Sequence, residues 1–128
     1  MNREIKFRGL QKDGKFAYGK LLSDSAIGRW GNSEIYNYSN VYLGTVGQFT
    51  GLLDKNGVEI YEGDIIQIDE YSSFEGTGKG IVDFLNGSFV CLYGQDAYGK
   101  DKLDNINTVN DSREVVGNIH QNPELLQS

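Results

Sequence analysis

Apolar and polar side chains alternate in short runs along this chain, and three of those runs lead into an Asp-Gly or Asn-Gly step. Ile5-Lys6-Phe7-Arg8 has the two-residue period of a strand with one covered face, Ile5 and Phe7 inward and the bases outward. Extended character resumes at Phe16-Ala17-Tyr18-Gly19-Lys20-Leu21-Leu22. Between them Asp13-Gly14 suits the positive φ angles of a tight turn, so the pattern predicts a hairpin over Ile5–Leu22. Residues 23–40 mix Ser, Asp, Asn and Gly with Trp30, Ile35, Tyr36 and Tyr38, an excursion with one expected strand, Glu34–Leu43.

The middle is more regular. Gln48–Leu53 leads into Asp54-Lys55-Asn56-Gly57, where Asn56-Gly57 is a turn dipeptide, and Val58–Tyr61 extends again. After Glu62-Gly63-Asp64, the β-branched density of Ile65-Ile66-Gln67-Ile68-Asp69 predicts a strand buried on both faces near its start. A polar loop, Glu70–Gly78, precedes a second hairpin, Lys79–Phe84 and Ser88–Tyr93, around Asn86-Gly87. Residues 94–112 are polar; Leu103, Ile106 and Val109 fall three apart, which suits a short helix or a covering loop. Glu114–Ile119 reads as a strand. Asn122-Pro123-Glu124-Leu125-Leu126 offers an N-cap, a proline at the first helical position and an acid in the first turn, the marks of a one-turn helix. No internal repeat interrupts this order.

Composition supports the same reading. Seventeen glycines and one proline in 128 residues, with 12% aromatic side chains and no long 3.6-residue apolar period, indicate short strands and tight turns. The length fits one domain, residues 1–128, with enough core to fold without a disulfide or metal. One cysteine allows no internal disulfide, and one cysteine with one histidine is a poor ligand set for zinc. A reducing cytoplasm is expected. Met1 leads into Asn2-Arg3-Glu4 with no apolar stretch of signal-peptide or membrane-span length, so no membrane association is expected.

Four islands, in order, resemble the YopX family of small phage and prophage proteins. They are Ile5-Lys6-Phe7-Arg8; Val46-Gly47-Gln48-Phe49-Thr50-Gly51-Leu52; the run from Asp54-Lys55-Asn56-Gly57 to Tyr61-Glu62-Gly63-Asp64-Ile65-Ile66; and Val116-Gly117-Asn118-Ile119 with Asn122-Pro123-Glu124-Leu125-Leu126. The resemblance spans essentially the whole chain and implies a mainly β fold, a mixed sheet curling toward a barrel, and a phage or prophage origin. It implies no established activity and no catalytic or cofactor residues. Residues 23–40 and 95–112 fit the pattern poorly. A Gly-Asp step, a β-branched strand, a loop and a Gly-flanked hairpin also look like the core of small SH3-like barrels, a fold analogy only. In physical terms the shared residues are turn-formers: Gly57 and Gly63 where the backbone bends, Asp54 and Asp64 where a carboxylate can accept nearby amides.

Candidate chemistry is sparse. Seven acids (Asp54, Glu59, Glu62, Asp64, Asp69, Glu70, Glu75) and one base, Lys55, lie between residues 54 and 75. Oxygen-only ligands suit magnesium or calcium, but the spacing matches no calcium loop, and turn caps with solvated faces are the plainer reading. His120 has only Glu114 and Glu124 nearby in sequence and reads as a surface residue flanking the last turn. Cys91, inside Phe89-Val90-Cys91-Leu92-Tyr93, reads as packing. Gly76-Thr77-Gly78-Lys79-Gly80 lacks the spacing and following helix of a phosphate loop. Tyr36, Tyr38 and Tyr42 are spaced to share one strand face. Residues 1–20 hold six bases and two acids against a net charge of −6 for the whole chain. Such a hairpin suits nucleic acid or an acidic neighbour, although bases alternating outward from a half-buried strand are the plainer reading.

The expectation is therefore a non-enzymatic β module without catalytic, cofactor or metal residues, binding a protein partner or associating with itself as a homo-oligomer. The alternative is nucleic-acid binding through the basic N-terminal hairpin.

Overall fold

The computed structural model describes residues 5–29, 38–68, 79–85, 87–93, 99–102 and 113–126. The chain is mainly β and divides into two compact units, Met1–Gly51 and Leu52–Ser128.

In the first unit β1 (Phe7–Leu10), β2 (Phe16–Ser23), β3 (Ala26–Arg29), β4 (Tyr38–Asn40) and β5 (Gly47–Leu53) form an antiparallel sheet in the order β4-β3-β2-β1-β5. β5 runs on past Gly51 into the second unit. The predicted first hairpin is present. Gly14 has φ +87°, its amide donates to the Gln11 carbonyl at 2.9 Å, and the Lys15 amide donates to Asp13 Oδ1 at 2.9 Å. β3 is unexpected: Ala-Ile-Gly-Arg has no strand alternation to read, and its place is set by pairing with β2, Lys20 opposite Gly28 and Leu21 opposite Ile27. Of the expected strand Glu34–Leu43, only Tyr38–Asn40 is strand among the described residues, and 34–37 lie outside them. Ile27 is fully buried, and Val41 is seated on Gly9, where a Cβ would stand 2.7 Å from a Val41 methyl.

One expectation for β1 is reversed. Arg8 is buried with its guanidinium 4.2 Å from the Phe16 ring centroid, whereas Ile5 is 61% exposed. A guanidinium is weakly hydrated and can lie flat on an aromatic face, so it is covered at lower cost than an ammonium.

The second unit contains β6 (Glu59–Tyr61), which follows β5 as the sixth strand in the order of the first sheet, and an antiparallel sheet of order β10-β9-β8-β7-β11, from β7 (Asp64–Ile68), β8 (Lys79–Leu85), β9 (Ser88–Tyr93), β10 (Gly99–Lys102) and β11 (Arg113–Asn118). Ile60, Ile66, Val82 and Cys91 form its core, with Leu52, Phe89 and Val115 against them. Ile65 and Ile66 are both fully buried, as their β-branched run predicts. β10 lies in the polar stretch that composition left open; of the predicted turn dipeptide Asn86-Gly87, Gly87 has φ +83° and Asn86 lies outside the described residues. The chain closes on a 3-10 turn, Pro123–Leu126. The Asn122 carbonyl accepts the Leu125 amide at 3.0 Å, while its side chain accepts from the Asn118 amide at 3.3 Å, so the expected side-chain cap reaches backward.

Two expected features are corrected. Every described pairing is antiparallel, and neither sheet closes into a barrel among the described residues. A parallel pair needs a crossover of about a dozen residues or more, usually helical, and no helix of that length lies among the described residues. No helix among the described residues is long and apolar enough to cross a membrane.

Candidate functional site

The central acids are the first candidates, and Asp54 is the best defined of them. The turn after β5 is nucleated by its own side chain: Oδ1 accepts the amides of Asn56 (2.8 Å) and Val58 (2.9 Å). Gly57, at φ +83°, donates to the Asp54 carbonyl at 3.0 Å. Oδ2 accepts the Val115 amide at 2.9 Å, 61 residues away. Beside it the Lys55 amide donates to the Arg113 carbonyl at 3.0 Å, and the fully buried Arg113 guanidinium donates to the Leu53 carbonyl at 2.9 Å. Burial pushes the Asp54 carboxyl up, but the amides of Val115, Val58 and Asn56, together with the Arg113 charge, outweigh it and hold the group below its ordinary value. With both oxygens engaged by amides, this carboxylate positions backbone.

Asp64 repeats the pattern on a smaller scale. It is buried, and Oδ2 accepts the Tyr61 amide at 2.7 Å across Glu62-Gly63. Gly63, at φ +90°, donates to the Val82 carbonyl and accepts the Ile119 amide, both at 2.8 Å. Asp69, Glu70 and Glu75 lie outside the described residues. Among the described residues no group of three or more His, Cys, Asp or Glu side chains could hold a metal ion.

The remaining candidates have structural places. Cys91 is buried with Sγ over Gly80. Lys79-Gly80 opens β8, and 76–78 lie outside the described residues. His120 is half-buried beside Gly63, its amide donating to Asn118 Oδ1 at 3.0 Å. Glu114 pairs with Lys55 at 3.6 Å. Tyr42 lies two residues past the end of β4, in the turn and not on the strand that carries Tyr38; Tyr36 lies outside the described residues.

Among the described residues two exposed surfaces of the first unit stand out. One is the turn between β4 and β5, which holds Tyr42 and Leu43 out at 52% and 68% exposure. Its backbone is fixed: Tyr42 N–H donates to the Leu10 carbonyl (2.8 Å), Thr45 Oγ1 donates to the Tyr42 carbonyl (2.6 Å), and the Leu10 amide donates to Thr45 Oγ1 (3.0 Å). The other is a sheet face. Register places Arg8 opposite Tyr18, Leu10 opposite Phe16, and Lys20, Gly28 and Tyr38 in one row, all on the same side. Lys6, one residue before β1, has its Nζ 5.0 Å from the Phe49 ring centroid. Only a register across four strands assembles this set; the sequence shows the bases of the N-terminal hairpin but not which rings stand beside them.

A family model described as YopX protein matches residues 5–127. The chain belongs to the YopX family. No curated protein matches it. Among solved structures it is similar to the crystal structure of protein EF1440 from Enterococcus faecalis, with 28% identity and a TM-score of 0.61 over 98% of this chain and 100% of that one. The first two YopX islands fall on β1 and β5, the third spans the Asp54 and Gly63 turns, and the fourth the β11 to 3-10 turn junction.

Proposed function

We propose that this YopX-family chain is a non-enzymatic accessory protein of phage or prophage origin, acting in the bacterial cytoplasm by binding a protein partner or a second copy of itself. The observation that carries this reading is the Tyr42-Leu43 tip, two large apolar side chains displayed on a turn already fixed by hydrogen bonds. An anchor ordered before binding avoids most of the entropy that a flexible loop would lose, and aromatic anchors dominate protein interfaces. The engagement of Asp54 and Asp64 by backbone amides supports a binding role over catalysis by the central acids.

The test compares wild type with Tyr42→Ser/Leu43→Ser in affinity purification from host cells and in sedimentation velocity. The double variant is expected to melt close to wild type and to lose its partner, or its self-association, by tenfold or more, on the scale of about 2 kcal/mol for an interface anchor. Undiminished capture of the same partner by the variant would refute the reading, as would a wild-type monomer that captures nothing.

A further inference from the structure

We infer that the Tyr18–Lys20–Tyr38 face of the N-terminal sheet is a binding surface for single-stranded nucleic acid, separate from the Tyr42-Leu43 tip. Charge is the first support. Residues 1–51 hold seven bases and four acids, residues 52–128 five and fourteen. Strands β1 to β5 contain no Asp or Glu at all, in a chain with 18 acids. The positive potential is therefore concentrated on this one unit.

The second support is the interleaving of that charge with rings. Arg8 lies over Phe16, Lys6 over Phe49, and Phe16 stands 6.2 Å from Tyr18 centroid to centroid, so cations and aromatic faces are already arranged together. Tyr18 and Tyr38 remain 46% exposed, and the exposed Lys20 stands two residues from Tyr18 on β2 and in one row with Tyr38. Their strands sit two spacings apart, about 10 Å. Leu22, at the irregularity in β2, covers Gly28 and gives the space between the tyrosines an apolar floor. Rings and aliphatic surface that accept unstacked bases, flanked by ammonium groups for the phosphates, are the physical requirements for binding single strands without sequence preference. The exposed Lys12 and Lys15 at the hairpin turn extend the basic track.

The same features disfavour duplex. Its bases are already stacked and cannot reach a flat strand face. Its charge density would also be repelled by a chain of net charge −6 that is basic only locally.

The test is fluorescence anisotropy of a labelled oligo-dT with the full chain at low salt, against a duplex of the same length and against heparin. Wild type is expected to prefer the single strand, with a log–log salt slope of about −2 for some three phosphate contacts. Tyr18→Ala and Tyr38→Ala should each weaken binding about tenfold by removing a stacking ring, and Lys20→Glu should weaken it and flatten the salt slope. Circular dichroism and melting temperature confirm folding. Should a tyrosine variant fail to fold, Lys20→Glu and the duplex comparison still decide. Tyr42→Ser/Leu43→Ser should bind the oligonucleotide as wild type does, which separates this surface from the protein-docking tip. No anisotropy change at low salt would overturn the inference. So would equal binding of heparin with unaffected tyrosine variants, or self-association lost in Tyr18→Ala/Tyr38→Ala without any oligonucleotide binding.

Discussion

Three backbone amides converge on the Asp54 carboxylate, and only one of them comes from far along the chain. Removing the acceptor strands all three donors. Asp54→Ala is therefore expected to cost about 3 kcal/mol in urea unfolding, with Asp54→Asn intermediate because one oxygen survives. The pH dependence follows from the lowered pKa. A carboxyl that ionises more readily folded than at its ordinary 3.8 stabilises the fold fully above that value, and the contribution is lost as pH falls from 3.8 through the folded value. The stability difference between wild type and Asp54→Asn should thus be constant from neutral pH to about 5 and shrink below 4, read from urea midpoints across pH. A difference independent of pH would refute the role of the ionised form. At this scale the sequence was half legible: Asp before Asn-Gly announces a capped turn, but nothing local reveals that the cap also holds Val115. Arg113 was illegible, because an arginine beside polar residues reads as surface until its guanidinium is seen on the Leu53 carbonyl.

At the scale of elements, turns were readable and two strands were not. Gly14, Gly57 and Gly87 all take positive φ after Asp or Asn, since those dipeptides carry their conformation locally. A methyl group added at Gly57 would meet nothing within 4 Å, so Gly57→Ala tests backbone conformation alone and should cost about 1 kcal/mol. Gly80 is a different case. A Cβ there would overlap Cys91 Sγ and stand 2.9 Å from the Leu92 carbonyl oxygen. Gly80→Ala should cost about 1–3 kcal/mol through overpacking. Cys91→Ala in that background should recover part of the loss, leaving the carbonyl contact. A double-mutant cycle on melting curves measures this coupling, and strict additivity would count against the packing account. β3 and β10 escaped prediction because neither Ala-Ile-Gly-Arg nor Gly-Lys-Asp-Lys has a face to bury by itself; each exists through pairing with a neighbour.

For the whole molecule, mainly β architecture was legible from glycine, proline and aromatic content, whereas the number of sheets and their openness were not. Those depend on which strands meet, and pairings such as β7 with β11 join residues some fifty apart. Long closures of this kind precede the contacts that repay them, so folding is expected in milliseconds to seconds, well slower than a helical bundle of this length. Stopped-flow fluorescence of Trp30 and the tyrosines would measure it; a microsecond phase carrying the full amplitude would contradict this topology's dominance.

The pairing of Val115 with Asp54 and of Arg113 with Lys55 has one more effect. β11 ends its sheet, yet its Val115 amide and Arg113 carbonyl are occupied by the molecule's own turn, which leaves a foreign strand less of that edge to pair with. Protein lacking the Asp54 carboxylate should accordingly seed thioflavin-reactive fibrils sooner than wild type.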